Sequence, residues 1–238
     1  MTHATREVPV VAIVVAAGSG SRLGGDVPKA LREVGGVPLV ARSVTQLAAG
    51  GVDAAVVVVA DGTQGAFEAA LADAPIPCGI VPGGAERQHS VANGISLITL
   101  HGSLEDAEVV LVHDAARAFV PAEVVARVID AVRQGADAVV PVVPVVDTIR
   151  ELVDEASVVI DRSALRAVQT PQGFKRAVLA EAHDALAESG QVVTDDAAAA
   201  EYLGHEVTLV EGSREAFKVT EPFDLVIAET LVARGKLS

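Results

Sequence analysis

Short valine-rich runs recur along this chain between stretches with helical spacing. Val10–Val15, Ala54–Val59, Ile76–Val81, Val109–Val112 and Ala138–Val142 read as strands. Pro38–Ala49, Thr63–Ala72, Arg87–Leu100 and Pro121–Gln134 lie between them and read as helices. An apolar run without polar alternation suits a strand buried on both faces. Strands alternating with helices in this way build βαβ units, a mostly parallel sheet and a three-layer α/β/α sandwich. Punctuation agrees: Gly50-Gly51 and Gly135 follow predicted helices, and Pro121 opens one. Aromatic residues make up only 3% of the chain and Trp is absent. The core therefore falls to Val, Ala, Leu and Ile.

The alternation breaks after Val142. Asp147–Leu152 and Ser157–Arg162 are two strand-like pieces around a short polar turn, a β-hairpin inserted over residues 143–169. An isolated hairpin is marginally stable and must pack on something, either its own domain or a second subunit. Beyond it, Lys175–Ser189 and Thr194–Leu203 read as helices, Glu206–Val210 as a strand and Glu221–Arg234 as a closing helix. Nothing reads as an interdomain linker, so a single domain over 1–238 carrying a β-arm is expected.

Acidic residues outnumber basic ones 32 to 18, for a net charge of −14. A chain so charged repels nucleic acid and acidic membranes, so neither is an expected partner. An anionic ligand would need the scarce cations gathered at its site. The single cysteine, Cys78, offers no intrachain disulfide and follows Pro77 in an apolar stretch, where a small core residue is expected. No apolar run is long enough to span a bilayer, and the N-terminal MTHATREVPV lacks the pattern of a signal peptide. A cytoplasmic location is the expectation.

The first predicted strand runs directly into Ala16-Ala17-Gly18-Ser19-Gly20-Ser21-Arg22-Leu23-Gly24-Gly25-Asp26-Val27-Pro28-Lys29. Small residues let backbone N–H groups approach an anion, and Arg22 and Lys29 add positive charge. Two familiar fingerprints fail here. Leu23 stands where a dinucleotide loop needs its third glycine, and Asp26 where a Walker loop needs lysine. On its own the segment is a phosphate cradle or a flexible βα connection. In parallel α/β sheets, ligands bind beyond the C-terminal strand ends, so the loops after the first, third and fourth strands are the places of interest.

Six further motifs follow in order: GGAERQHSV at 83–91, HDAAR at 113–117, Asp147-Thr148, LRAVQTPQGF at 165–174, TDDA at 194–197 and AFKVTEPFDL at 216–225. With the glycine-rich loop, this series resembles the 2-C-methyl-D-erythritol 4-phosphate cytidylyltransferases, over nearly the whole chain. The resemblance implies a Rossmann-like nucleotidyltransferase fold, CTP and a polyol phosphate as substrates, magnesium as cofactor, and a homodimer formed through the β-arm. It implies that Arg22 and Lys29 stabilise the transition state at the α-phosphate, and that Arg162 and Lys218 position the acceptor. By the same resemblance Ala16, Ala17, Gly18, Gly83, Gly84, Arg87, Ser90, Asp114 and Ala115 hold the nucleotide, and Asp114 also the metal. Arg117, Thr148, Thr170, Thr194 and Asp195 would line the acceptor pocket, with Thr148 and Arg162 reaching the partner's site. Val15, Ala30-Leu31, Ala118 and Arg150 depart from the common family pattern without removing a charged position.

Each of these residues also has a plainer reading. Lys218, in a strand-like piece before a helix, suits an ordinary surface lysine. Arg162 suits a pair with Asp161 or Glu151, Asp114 a turn cap, and His113 a packed histidine. Asp195-Asp196 suits N-terminal helix charge. Two rival functions stay open, a ribitol 5-phosphate cytidylyltransferase and a non-catalytic nucleotide-binding protein. The chemistry itself favours cations. Joining two anions through an anionic nucleophile needs positioning and charge rather than a strong base, and one preorganised charge contact is worth about 10²–10³ in rate.

Overall fold

The computed structural model describes residues 8–18, 27–100, 104, 106–154 and 156–235. The apolar runs form the central sheet: β1 (Val10–Val15), β4 (Ala54–Val59), β5 (Cys78–Pro82), β6 (Val109–Asp114), β7 (Ala138–Pro144) and β12 (Val207–Glu211). Two-residue strands β2 (Glu33–Val34) and β3 (Val37–Pro38) make a small separate hairpin. Strands β10 (Arg166–Val168) and β11 (Gln172–Lys175) complete the main sheet. Its order is β5-β4-β1-β6-β11-β7-β12. β10 pairs with the far end of β7 on the edge that β11 occupies lower down.

All strands of the main sheet are parallel except β11, antiparallel between β6 and β7, and β10, antiparallel to β7. Sequence reasoning missed them. Gln172-Gly173-Phe174-Lys175 carries no apolar run, because Gln172 and Gly173 answer to local partners rather than to a uniform core.

Helices cover both faces. On one lie α1 (Leu39–Ala49), α2 (Gln64–Ala70) and α4 (Ala122–Arg133), packed on Val10, Ala12, Val14, Val57 and Val59. On the other lie α3 (Arg87–Leu100), α5 (Arg176–Ser189) and α6 (Asp196–Tyr202), packed on Val11, Ile13, Val56 and Val58. The period-two alternation of β1 thus feeds two cores at once. In α4, Val124, Val125, Val128, Ile129 and Val132 form the buried stripe, with Glu123 in the first turn and Arg133 in the last, as the helix dipole favours. Helix α7 (Pro222–Ala233) opens with Pro222, and the Asp224 carboxylate accepts the Glu221 N–H at 2.8 Å. It closes a third apolar cluster around Val34, Leu39, Phe119 and Val219.

The arm is a separate two-stranded sheet of β8 (Ile149–Val153) and β9 (Ala156–Ile160). Arg150 pins it from within, donating to the Ser157 hydroxyl and carbonyl, both at 2.9 Å. The main sheet extends to Pro144 and resumes at Arg166, so the excursion is shorter at both ends than the expected 143–169. The other expected helices and strands are found with ends shifted by a residue or two, the usual uncertainty of such boundaries. The piece holding Lys218 is not a strand; it follows a short 3-10 turn at Arg214–Ala216.

Gly173 explains how α4 lies close on β11. A Cβ there would meet the Val128 side chain, with Leu111 Cδ2 at 3.1 Å and Val132 Cγ2 at 3.2 Å. Overpacking of this kind costs about 1–3 kcal/mol. Gly173→Ala is expected to lower unfolding stability by that amount, read as a reduced denaturation midpoint with an unchanged slope.

Candidate active site

The C-terminal ends of β1, β5 and β6 frame a cavity of about 430 Å³. Its wall includes Ala16, Ala17 and Gly18 after β1, Gly84 to Arg87 and Ser90 at the start of α3, and Asp114 and Ala115 at the end of β6. Lys29 and Lys218 complete it. Backbone pairing sets these loops: Ala16 N–H donates to the Val58 carbonyl at 2.7 Å, Gly83 N–H to Val59 at 2.7 Å, and Ala115 N–H to Val15 at 3.1 Å. Gly83 lets two loops abut, since a Cβ there would sit 2.7 Å from Ala17 Cβ and 2.9 Å from Ser90 Oγ. The Ser90 hydroxyl accepts the Gly84 N–H at 3.1 Å and donates to the Glu86 carbonyl at 3.2 Å. Lys29 opens a 3-10 turn that Pro28 precedes, as its fixed φ suits.

A second cavity adjoins, lined by Arg117, Gln169, Thr170, Gln172, Thr194 and Asp195 among others. Arg87, Asp114 and Lys218 line both cavities. Asp114 is their electrostatic centre. Its Oδ2 accepts from Lys218 Nζ at 2.7 Å, and its Oδ1 lies 3.7 Å from Arg87 Nε. Burial opposes the Asp114 charge, but Lys218 and Arg87 outweigh it and hold the pKa at about 2. The carboxylate is therefore ionised at neutral pH. Lys218 is brought in from far along the chain by Val219, which is buried and whose N–H donates to the Ala116 carbonyl at 2.8 Å.

The second cavity's residues are held as firmly. Arg117 donates to the Ala216 carbonyl at 2.8 Å and the Val168 carbonyl at 3.3 Å. Thr170 Oγ1 accepts the Asp114 N–H at 3.0 Å and lies 3.0 Å from His113 Nδ1. Through these two contacts Thr170 orients the end of β6 as well as lining the pocket. Asp195 caps α6, accepting the Ala198 N–H at 2.9 Å, and also accepts from Gln172 Nε2 at 2.9 Å.

The structure thus brings together Ala16, Ala17, Gly18, Lys29, Gly83, Gly84, Arg87, Ser90, Asp114, Ala115 and Lys218, with Arg117, Thr170, Thr194 and Asp195 alongside. Arg22 lies outside the described residues. Thr148 and Arg162 belong to the arm and line neither cavity. Arg162 donates to the Val146 carbonyl, and Asp161 is engaged by the Ser163 N–H at 2.9 Å rather than by Arg162. Among the described residues no group of three or more His, Cys, Asp or Glu is arranged to hold a metal. Sequence reasoning missed Gln172 and the link from Arg87 to Asp196, whose only signal was the paired Asp195-Asp196.

A family model described as 2-C-methyl-D-erythritol 4-phosphate cytidylyltransferase matches residues 10–234. A protein of that name from Saccharopolyspora erythraea is 50% identical over 228 residues, covering 94% of this chain and 99% of the relative. Another from Streptomyces coelicolor is 45% identical over 240 residues, covering 95% and 86%. The crystal structure of the protein of that name from Thermus thermophilus matches with a TM-score of 0.76 at 38% identity, over 94% of this chain and 99% of that one.

His113 supplies a pH signature. Burial holds its pKa down at about 4 from 6.5, against the pull of Asp114. The unfolded chain takes up this proton near pH 6.5, whereas the folded protein excludes it until about pH 4. Stability is therefore complete above the upper value and falls as pH drops through that window, by at most about 3 kcal/mol. Denaturation at a series of pH values is expected to show this slope. His113→Asn, which keeps a polar partner for Thr170 without a titrating ring, is expected to flatten it.

Proposed function

The chain belongs to the 2-C-methyl-D-erythritol 4-phosphate cytidylyltransferase family, and on that premise we propose that it transfers the cytidylyl group of CTP to 2-C-methyl-D-erythritol 4-phosphate. The products are 4-diphosphocytidyl-2-C-methyl-D-erythritol and pyrophosphate. One observation carries this reading: two adjoining cavities share Arg87, Asp114 and Lys218, so two anionic substrates can meet across one charge cluster. In the reaction an oxygen of the acceptor phosphate forms a bond to the α-phosphorus. The bond from that phosphorus to the bridging oxygen breaks, and pyrophosphate departs with the electron pair. The nucleophile is already anionic, so preorganised cations supply the catalysis. Lys29, and Arg22 from the same loop, would stabilise charge at the α-phosphate. Lys218 would hold the acceptor phosphate against it. Arg117, Thr194 and Asp195 would surround the polyol.

Magnesium fits as a partner of the triphosphate rather than as an ion in a protein cage. Asp114 is ionised, hard and oxygen-donating, and retains lone pairs beyond those engaged by Lys218 and Arg87. The ion would be held by Asp114 and phosphate oxygens, and would neutralise charge on the nucleotide. No helix among the described residues is long and apolar enough to cross a membrane. We place the reaction in the cytoplasm.

The arm is the basis for proposing a homodimer. Leu152 is 82% and Val159 59% exposed on an isolated two-stranded sheet, an arrangement that needs a surface to pack on. Thr148 and Arg162 would then serve the partner's acceptor pocket.

Two experiments test these readings. Incubation with CTP, magnesium and methylerythritol phosphate is expected to release pyrophosphate, with little release when ribitol 5-phosphate replaces the acceptor; the reverse preference would overturn the substrate assignment. Mixing Arg162→Ala with Lys218→Ala protein, each inactive alone, is expected to restore roughly a quarter of wild-type activity. A mixed dimer then carries one intact site built from both chains. No restoration after subunit exchange would return the arm to its own protomer.

A further inference from the structure

Behind the two cavities lies a charge cluster whose buried members, Asp196 and His183, line neither. Asp196, the first residue of α6, is 1% exposed. Its Oδ2 lies 2.6 Å from Arg87 Nη1, and its Oδ1 lies 3.1 Å from Nε2 of His183, a buried residue of α5. Arg87 is the first residue of α3, and the other side of its guanidinium, at Nε, faces Asp114. Thr194 and Asp195, which immediately precede Asp196, line the second cavity. Gln172 pins this same turn, donating to the Asp195 carboxylate at 2.9 Å and accepting the Ala197 N–H at 3.0 Å.

Burying a carboxylate and a guanidinium side by side makes each depend on the other, and loss of one partner leaves the other stranded. Here the pairing partner is an arginine at the rim of both cavities. A flexible arginine between two carboxylates could swing to either. Asp196, fixed by its helix and by His183, removes that freedom and leaves one orientation.

We propose that Asp196 is a positioning residue for the nucleotide: it anchors the Arg87 guanidinium, with His183 as its support, so that Arg87 braces Asp114 and holds the first turn of α3 against the loop at Thr194–Asp195. The proposal rests on the reading of the first cavity as the CTP site. Asp196 acts on the site through Arg87, a wall of the nucleotide cavity, so loosening it acts on nucleotide binding more than on the chemical step.

The test is steady-state kinetics with CTP, methylerythritol phosphate and magnesium, for wild type, Asp196→Asn, Arg87→Ala and the double variant. Thermal unfolding is measured in parallel. Loss of one charge-assisted contact predicts about a tenfold rise in KM for CTP in Asp196→Asn, with kcat within about threefold of wild type. If Asp196 acts through Arg87, the double variant has a KM within about twofold of Arg87→Ala alone. Asp137→Asn, an equal charge change in the separate cluster with Lys175 and His205, is expected to leave the KM for CTP unchanged. A wild-type KM in folded Asp196→Asn, with only a lower melting temperature, would make the residue purely structural and overturn the proposal. So would effects that multiply in the double variant. Should Asp196→Asn not fold, His183→Leu keeps the carboxylate but removes its support; a rise in KM for CTP supports the proposal and a wild-type value overturns it. Calorimetric titration with CTP alone separates this from the proposed reaction. Unimpaired CTP binding by Asp196→Asn sinks the positioning role whichever acceptor is turned over.

Discussion

A carboxylate largely withdrawn from water at the end of a parallel strand must be neutralised, and much of this molecule's functional face is arranged around doing so for Asp114, whose side chain is 13% exposed. Burial alone would push its pKa up, yet Lys218 and Arg87 bring it to about 2. The two cations come from opposite directions in the chain, one from the start of α3 and the other from the segment between β12 and α7. Bringing Lys218 within 2.7 Å requires Val219 to be buried and bonded to Ala116, and α7 to begin just beyond, where Asp224 ties back to Thr220 and Glu221. The C-terminal region is therefore docked to the sheet partly by apolar packing around Phe119 and Val219 and partly by one charge.

The antiparallel strand β11 is the other constraint. By entering between β6 and β7 it places Gln172 beside Asp195, with Thr170 just ahead of it beside Asp114. A purely parallel sheet would put β7 directly against β6 and leave no wall for a second cavity. Gly173 is what allows α4 to close over this insertion. Sheet topology and the second cavity are thus one problem with one solution.

The parallel strands were legible because both their faces are buried, so Val10–Val15 and Ala54–Val59 read as unbroken apolar runs and their ends fall where expected. β10 and β11 were not legible, since three or four residues that include Arg166, Gln172 and Lys175 have no periodicity to read. The local pattern at Lys218 suggested a strand, but its neighbours are placed by tertiary contacts with Ala116 rather than by a ladder. The family motifs named loops that the structure gathers around the two cavities, while the arrangement of side chains inside them stayed hidden. Asp195 and Asp196 are adjacent and chemically identical, yet one caps α6 at the edge of a cavity and the other turns inward to Arg87 and His183. Which way each side chain leaves the first turn depends on what is packed behind it, and that is long-range information.

The same pairing bears on how an acidic protein handles anionic ligands. With a net charge of −14, a cluster of unpaired cations would be the obvious way to attract a triphosphate. This chain instead satisfies Arg87 with Asp196 and Asp114, and Lys218 with Asp114. Paired cations attract less strongly at long range, but they are already oriented, so little reorganisation is needed when phosphate charge comes near. Each also retains donors beyond those its acidic partners use: five N–H groups on Arg87 and three on Lys218 exceed the contacts made to carboxylates here. The acids therefore fix where the cations stand without exhausting what they can hold. Orientation, rather than raw positive charge, is what this site has been built to supply.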